Sequence, residues 1–326
     1  MNLPNEQISY ASAPAKIILF GEHFVVYEKP AILASIDKRI HIIVIKNDNK
    51  KILTINDKIF GKKSYSISDF KKLQEKFPND VYFPILYTIK KNFEWKFDNG
   101  LEFKVNSSIP YGVGLGSSAA ISVATAASLS NIFKTMTREK ILELAIETEK
   151  LVHSNSSGAD CIVATYGGLL FYQKNTSFKK LKLREKLSFV LVLTGIRHST
   201  GSLVKFVKNY RSSNTNDFHK LANISENITK RAVRALEEGN NILLGQLMNE
   251  NQILLEKIGV SNKIIGKIIK LCDKYEALGS KITGAGGGGC VLVLVEEETK
   301  ENFMCSIRKE GFQCIPVSLE TEGVIY

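Results

Sequence analysis

The sequence predicts a chain of mixed α and β structure, and three observations predict it. Apolar runs of strand length recur, two longer segments repeat their apolar residues at helical period, and glycine-dense loops lie among them. From the N-terminus, Ile17 to Val26 is an apolar run broken by Gly21, Glu22 and His23, followed by Ala31 to Ile36 and Ile40 to Ile45. These read as strands joined by tight turns. Asn47 to Phe97 is polar, lysine-rich and uneven in period, which suits surface loops, an edge hairpin and a helix better than active-site framework. Leu101 to Val105 is the next strand. Helical period is clearest from Arg138 to Val152, where Ile141, Leu142, Ala145 and Ile146 share a face, and from Ile264 to Leu278. Leu169 to Tyr172, Phe189 to Leu193 and Cys290 to Val295 complete the strands, and the polar stretch Gln173 to Lys186 is the expected domain division.

A chain of 326 residues with 44% apolar content can bury a sizeable core as one large domain or two ordinary ones. No segment reaches the roughly 18 to 20 uninterrupted apolar residues of a membrane span, and no basic region followed by an apolar core opens the chain, so a cytoplasmic protein is expected. Cys161, Cys272, Cys290, Cys305 and Cys314 are scattered, form no CxxC pair and are odd in number. Neither a disulfide framework nor a zinc site is indicated, and reduced, mostly buried thiols are expected. The formal charge of +11 favours anionic partners. Its lysines come as short pairs, such as Lys62 with Lys63 and Lys179 with Lys180, without interleaved aromatics. That pattern is a solvated basic surface, with neither nucleic acid nor membrane expected as partner.

Three segments carry chemistry. Ile109 to Ala120 reads IPYGVGLGSSAA, with Gly112, Gly114 and Gly116 at alternate positions before Ser117, Ser118 and helix-compatible small residues. Glycines permit positive φ and close approach, so successive N–H groups can meet phosphate oxygens, with the dipole of the following helix aimed at the same anion. No GKS or GKT ends the loop, and the spacing is not that of a dinucleotide fingerprint. Lys281 to Cys290 reads KITGAGGGGC, five glycines within Gly284 to Gly289, which implies a tight backbone path between a helix and a strand. Ser12 to Ala34 places Lys16, Glu22 and His23 around one strand and its turn; singly, these would be a surface cation and turn residues.

Together the three segments resemble the GHMP kinases. Pro110, Gly114 to Ser118, Ala119 and Ala120 match the family's ATP-binding PxxxGLGSSAA motif, and the last segment is similar to its C-terminal glycine-rich motif. APAKIILFGEHFVVYEKPAI resembles the opening of the mevalonate kinase branch, and EKLVHSNSSGADCIVATYGG, residues 149–168, resembles that branch's magnesium and catalytic segment. Ala15, Glu28, Ser154 and Ser156 depart from the pattern.

The resemblance implies a two-domain α/β GHMP kinase fold. Residues 1–180 would be an ATP-binding domain with a left-handed βαβ crossover and residues 181–326 an α/β sandwich, the active site lying in the cleft between. It implies transfer of the ATP γ-phosphoryl group to the 5-hydroxyl of mevalonate, with Asp160 as base and Lys16 stabilising the charge at the reacting oxygens. Pro110, Gly112, Gly114, Leu115, Gly116, Ser117, Ser118 and Ala119 would hold ATP. Ser118 and Glu149 would hold Mg²⁺. Glu22, His23, Thr194, Gly284, Ala285 and Gly286 would surround the acceptor, with Arg197 and Thr200 near it. Another GHMP kinase, such as a phosphomevalonate kinase, and a catalytically silent sensor of the same fold are the alternatives; a homodimer is left open.

Overall fold

A computed structural model describes residues 7–47, 52–66, 81–92, 99–152, 158–174, 178–197 and 200–326; Ser154 and Ser156 fall outside these. Strand β1 (Gln7–Phe20) pairs antiparallel with β2 (Ala31–Asn47) along most of its length. The two runs expected on either side of Asp37 are therefore one strand. The polar interruption does not break it, because the Arg39 guanidinium donates to Ser12 Oγ at 3.2 Å, Ser12 O at 3.1 Å and Gly323 O at 2.7 Å, so the charge is satisfied inside the fold. A register shift between Pro14 and Ala15 absorbs the irregularity. Val25 and Val26, read as strand, instead belong to a 3₁₀ turn over Phe24–Tyr27. Gly21 forces that exit: its φ is +91°, and a Cβ there would lie 2.4 Å from Pro30 O.

Strands β3 (Leu53–Asp57) and β4 (Gly61–Tyr65) form an edge hairpin, and β3 runs parallel to β5 (Gly100–Ser107). The intervening chain includes helix α1 (Phe83–Asn92), as a parallel pair requires a crossover. With β6 (Leu169–Tyr172) and β7 (Lys179–Lys180), the first sheet runs β4-β3-β5-β2-β6-β7, and β1 lies on the other edge of β2. Helix α2 (Ser117–Phe133) is buried continuously from Ala119 to Ser130, a composition that suits a central helix. It packs on β1 and β2, flanked by α1, α3 (Arg138–Val152) and α4 (Ala159–Tyr166).

The second sheet, β11-β8-β10-β9, is antiparallel throughout: β8 (Ser188–Leu193), β9 (Gly279–Ile282), β10 (Cys290–Val295) and β11 (Cys314–Val317). Helices α5 (Thr200–Ser213) and α6 (Thr215–Glu238) lead to α7 (Asn241–Lys257) and α8 (Lys263–Lys274), which pack on β9, while α9 (Lys300–Lys309) covers β8 and β11. Asn262 starts α8 by accepting from Ile264 N and Ile265 N, both at 3.0 Å. The helix stops at Lys274, short of the expected Leu278, because Glu276 turns to φ +56° and Leu278 N then pairs with Leu294 O at 2.9 Å.

After β11 the chain returns to the first sheet. Ser12 and Ile325 exchange backbone hydrogen bonds of 2.8 and 2.9 Å, Glu320 N donates to Ser35 O at 2.9 Å, and Val324 N donates to Thr165 O at 3.1 Å. The seam is tight enough that a Cβ on Gly323 would meet Thr165 O at 2.1 Å. No helix among the described residues is long and apolar enough to cross a membrane. Cys161, Cys272, Cys290 and Cys314 are buried thiols, and Cys305 is exposed.

Candidate active site

Gly112, Gly114 and Gly116 have φ of +75°, +83° and +73°, so three left-handed residues alternate just before α2. This path turns backbone N–H groups to one side and delivers them, with the uncapped start of α2, to a cavity. A side chain cannot replace Gly116 cheaply: a Cβ there would stand 2.8 Å from Lys16 Cγ. The loop is tied to β1 by Lys16 N donating to Leu115 O at 2.9 Å.

Lys16 Nζ lies 3.2 Å from Asp160 Oδ1, although 144 positions separate them: Lys16 stands where β1 is tied to the loop, and Asp160 stands in the first turn of α4. Lys16 is nearly buried and Asp160 about one-third exposed toward the cavity. The Ser118 hydroxyl donates to Glu149 Oε1, joining the first turn of α2 to α3. Burial pushes the Glu149 carboxyl up to about 7. The Ser118 hydrogen bond pulls it down, Asp160 raises it further and Lys16 lowers it.

Across the cavity, His23 Nε2 donates to Ala285 O at 2.9 Å, and burial lowers the imidazole to about 4 against that hydrogen bond. The ring is therefore neutral near pH 7, with Nδ1 left as an acceptor. Thr283 Oγ1 accepts from Ile18 N at 2.8 Å and donates to Ile18 O at 3.0 Å, stitching the second glycine loop to β1. Lys16, His23, Pro110 to Ala119, Glu149, Asp160, Thr200, Gly284 and Ala285 all line one cavity of about 760 Å³, a size fit for a nucleotide and a small second substrate.

Four expected positions stand behind that wall or beside it. Glu22 is fully buried, ion-paired with Lys281 and accepting from Asn251 Nδ2 at 3.1 Å, so its carboxylate serves the interior. The Thr194 hydroxyl donates to Gly289 O at 3.0 Å and accepts from Ile196 N at 3.2 Å, which fixes the end of β8. Gly286 packs where a Cβ would meet Val260 O at 2.5 Å. Arg197 sits over the Tyr111 ring at 5.7 Å.

The wall also extends into the region whose composition suits surface structure better than active-site framework. Asp57 Oδ1 accepts from Ile59 N at 2.6 Å and Phe60 N at 3.1 Å, a turn that presents Phe60 edge-on to Tyr111 with centroids 4.9 Å apart. Asp57, Phe60, Tyr82 and Tyr111 also line the cavity. The D-x-x-F turn between two short β runs was the available signal.

Residues 81–168 match the model of the GHMP kinases N terminal domain and residues 232–313 that of the GHMP kinases C terminal domain. The chain belongs to the GHMP kinase family.

This GHMP kinase is 37% identical over 335 aligned positions to the mevalonate kinase of Thermococcus sibiricus, covering 96% of this chain and 97% of that one. Its fold superposes on Leishmania major mevalonate kinase in complex with R-mevalonate with a TM-score of 0.84 at 27% identity, covering 99% and 100% of the two chains. Methanococcus jannaschii mevalonate kinase gives 0.83 at 27% identity, covering 97% and 99%. In the GHMP kinase fold found here, the glycine loop, the Lys16–Asp160 pair and the second glycine loop face one another across the junction of the two sheets.

Proposed function

We propose that this chain is a mevalonate kinase, transferring the γ-phosphoryl group of ATP to the 5-hydroxyl of (R)-mevalonate to give 5-phosphomevalonate and ADP. The observation that carries the reading is the Lys16–Asp160 pair at 3.2 Å, open to the cavity beside the phosphate loop. A relative 37% identical over 96% of this chain is a mevalonate kinase, and one of the similar structures is a mevalonate kinase in complex with R-mevalonate.

The glycine loop and the first turn of α2 bind the β- and γ-phosphates through backbone N–H groups. Asp160 accepts the hydroxyl proton as the acceptor oxygen bonds to the γ-phosphorus, and the bond to the bridging oxygen breaks with its electron pair leaving on ADP. Lys16 steadies Asp160 and offers positive charge to the transferred group. His23 stays neutral, so its Nδ1 can accept a hydrogen bond from the acceptor while Ala285 O holds the ring.

Mg²⁺ fits the donors present. Glu149 is an acid that burial raises to about 7, it lies against the Ser118 hydroxyl, and hard oxygens suit this ion. Ser118 and Glu149 would hold it, and it would neutralise charge between the phosphates. We further assign residues 1–180 to the ATP-binding domain and 181–326 to the C-terminal domain, in a cytoplasmic enzyme.

Replacing Asp160 by Asn keeps shape and removes the base. Turnover of mevalonate should fall roughly 10² to 10⁴-fold with ATP affinity little changed, read by coupled ADP release and nucleotide titration. Near wild-type turnover would remove Asp160 as base. Phosphorylation of phosphomevalonate but not mevalonate by the wild-type protein would transfer the reading to that other kinase.

A further inference from the structure

On the edge of β1 that faces away from β2, residues of one parity find partners from distant parts of the chain. Ser12 pairs with Ile325, Lys16 N donates to Leu115 O at 2.9 Å, and Ile18 N donates to Thr283 Oγ1 at 2.8 Å. The first and second glycine loops are therefore attached two residues, or about 7 Å, apart on one strand. Thr283 satisfies both backbone groups of Ile18, because its hydroxyl also donates to Ile18 O at 3.0 Å. One side chain thus does the pairing that a neighbouring strand would do.

The attachment closes a circuit. From Thr283 the second loop runs through Gly284, where a Cβ would come 3.3 Å from Gly114 O, to Cys290, whose thiol donates to Val113 O at 3.6 Å. Val113 and Gly114 belong to the first loop, which returns to β1 through Leu115. At that return stands Lys16, whose ammonium meets Asp160. The links of the circuit differ in strength. A thiol is a weak donor, and Gly114 and Gly284 are merely in contact, whereas Thr283 makes two ordinary hydrogen bonds and is buried without lining the cavity. His23 on Ala285 and Glu22 on Lys281 also hold this segment, but from the turn at and beyond Gly21. Thr283 relates it to the strand that carries Lys16.

We propose that Thr283 is a positioning residue for phosphoryl transfer, setting the second glycine loop at a fixed place relative to the first. The inference rests on the mevalonate kinase reading, in which the first loop holds the phosphates and the second faces the acceptor. Without the hydroxyl each loop still presents its own groups, so each substrate still binds. What changes is the approach of the acceptor oxygen to the γ-phosphorus, and transfer between bound reactants depends steeply on that geometry.

The test compares wild type with T283V, which keeps the branched shape and loses both hydrogen bonds, and with T283S, which keeps the hydroxyl. T283V should slow phosphoryl transfer by about tenfold to a hundredfold in a single turnover at saturating ATP and mevalonate. The Kd for ATP and the KM for mevalonate should stay within about threefold, and T283S should recover most of the rate. Rates are taken per folded, nucleotide-binding molecule, so that lost stability alone does not imitate the effect. If T283V does not fold, T283A, in which water can reach Ile18 N and O, makes the same comparison. An unchanged single-turnover rate in the valine or alanine variant would overturn the proposal. So would a serine variant as slow as the valine one, or a raised KM for mevalonate at an unchanged rate. If the wild-type protein phosphorylates no mevalonate, the functional reading falls, and this inference with it; turnover of mevalonate with indifference to T283V removes the inference alone.

Discussion

Glu28 stands where the family pattern has a turn glycine, and the structure shows what that departure entails. Its φ is +66°, left-handed, at the end of the 3₁₀ turn beside the acceptor end of the cavity. A non-glycine residue held there costs roughly 1–2 kcal/mol, partly offset because glycine is freer in the unfolded chain. Glu28→Gly should therefore stabilise the protein by about 0.5–1 kcal/mol, seen as a higher urea midpoint at unchanged slope. A lower midpoint would show that the Glu28 side chain contributes more than the strain. His23 has φ +61° as well, but there the strained backbone delivers the ring to Ala285 O. The residues that touch the cavity through a motif, Lys16, His23, Ser118, Glu149 and Asp160, were legible because their spacing along the chain carries the information. Glu22 was not, because its partner Lys281 lies 259 positions away and no local pattern distinguishes a carboxylate facing a ligand from one facing a buried ammonium.

At the level of elements, Arg138–Val152 emerged with the expected bounds because its apolar face repeats without interruption. Helices α6 and α7 were not picked out, although Phe218, Leu221, Ala222, Ser225, Ile228 and Thr229 recur at helical spacing along α6. Polar members of that stripe, such as the buried Ser225 and Thr229, hide the period, and Thr229 Oγ1 satisfies itself on Ser225 O at 2.8 Å. The contact between α7 and β9 depends on a feature equally silent in sequence. Gly245 and Gly279 meet face to face: a Cβ on Gly245 would stand 2.1 Å from Leu278 O, and one on Gly279 2.2 Å from Gly245 O. Gly245→Ala gains helix propensity on paper, yet it must push the helix off the strand that leads into the second glycine loop. It should destabilise by about 1–3 kcal/mol and raise the acceptor KM more than the ATP KM, checked by denaturation and steady-state kinetics. A stabilised variant would mean that α7 can slide.

For the molecule as a whole, the sequence supported two α/β units joined near Gln173 to Lys186; the last strand of the first sheet, β7, lies inside that stretch at Lys179–Lys180, and the second sheet begins at Ser188. It did not disclose how strongly the units are sewn together. Thr283 on Ile18, His23 on Ala285 and the Lys281–Glu22 ion pair all cross between the halves at the back of the cavity. Long-range pairings of this kind depend on the fold alone and leave no mark in local composition.

The return of residues 319–325 to the first sheet has a consequence in time. During synthesis β1 and β2 emerge early, yet the acceptors around Ser12, Ser35 and Thr165 wait for a segment translated some 160 or more residues later. Until then the Arg39 guanidinium lacks its bond to Gly323 O, and the edge of the N-terminal half stays incompletely paired. Ribosome-stalled chains ending at residue 317 should therefore be cut by protease within the first sheet, whereas chains carried past residue 326 on a linker should be protected. Equal protection of both would show that the N-terminal half settles without its last strap.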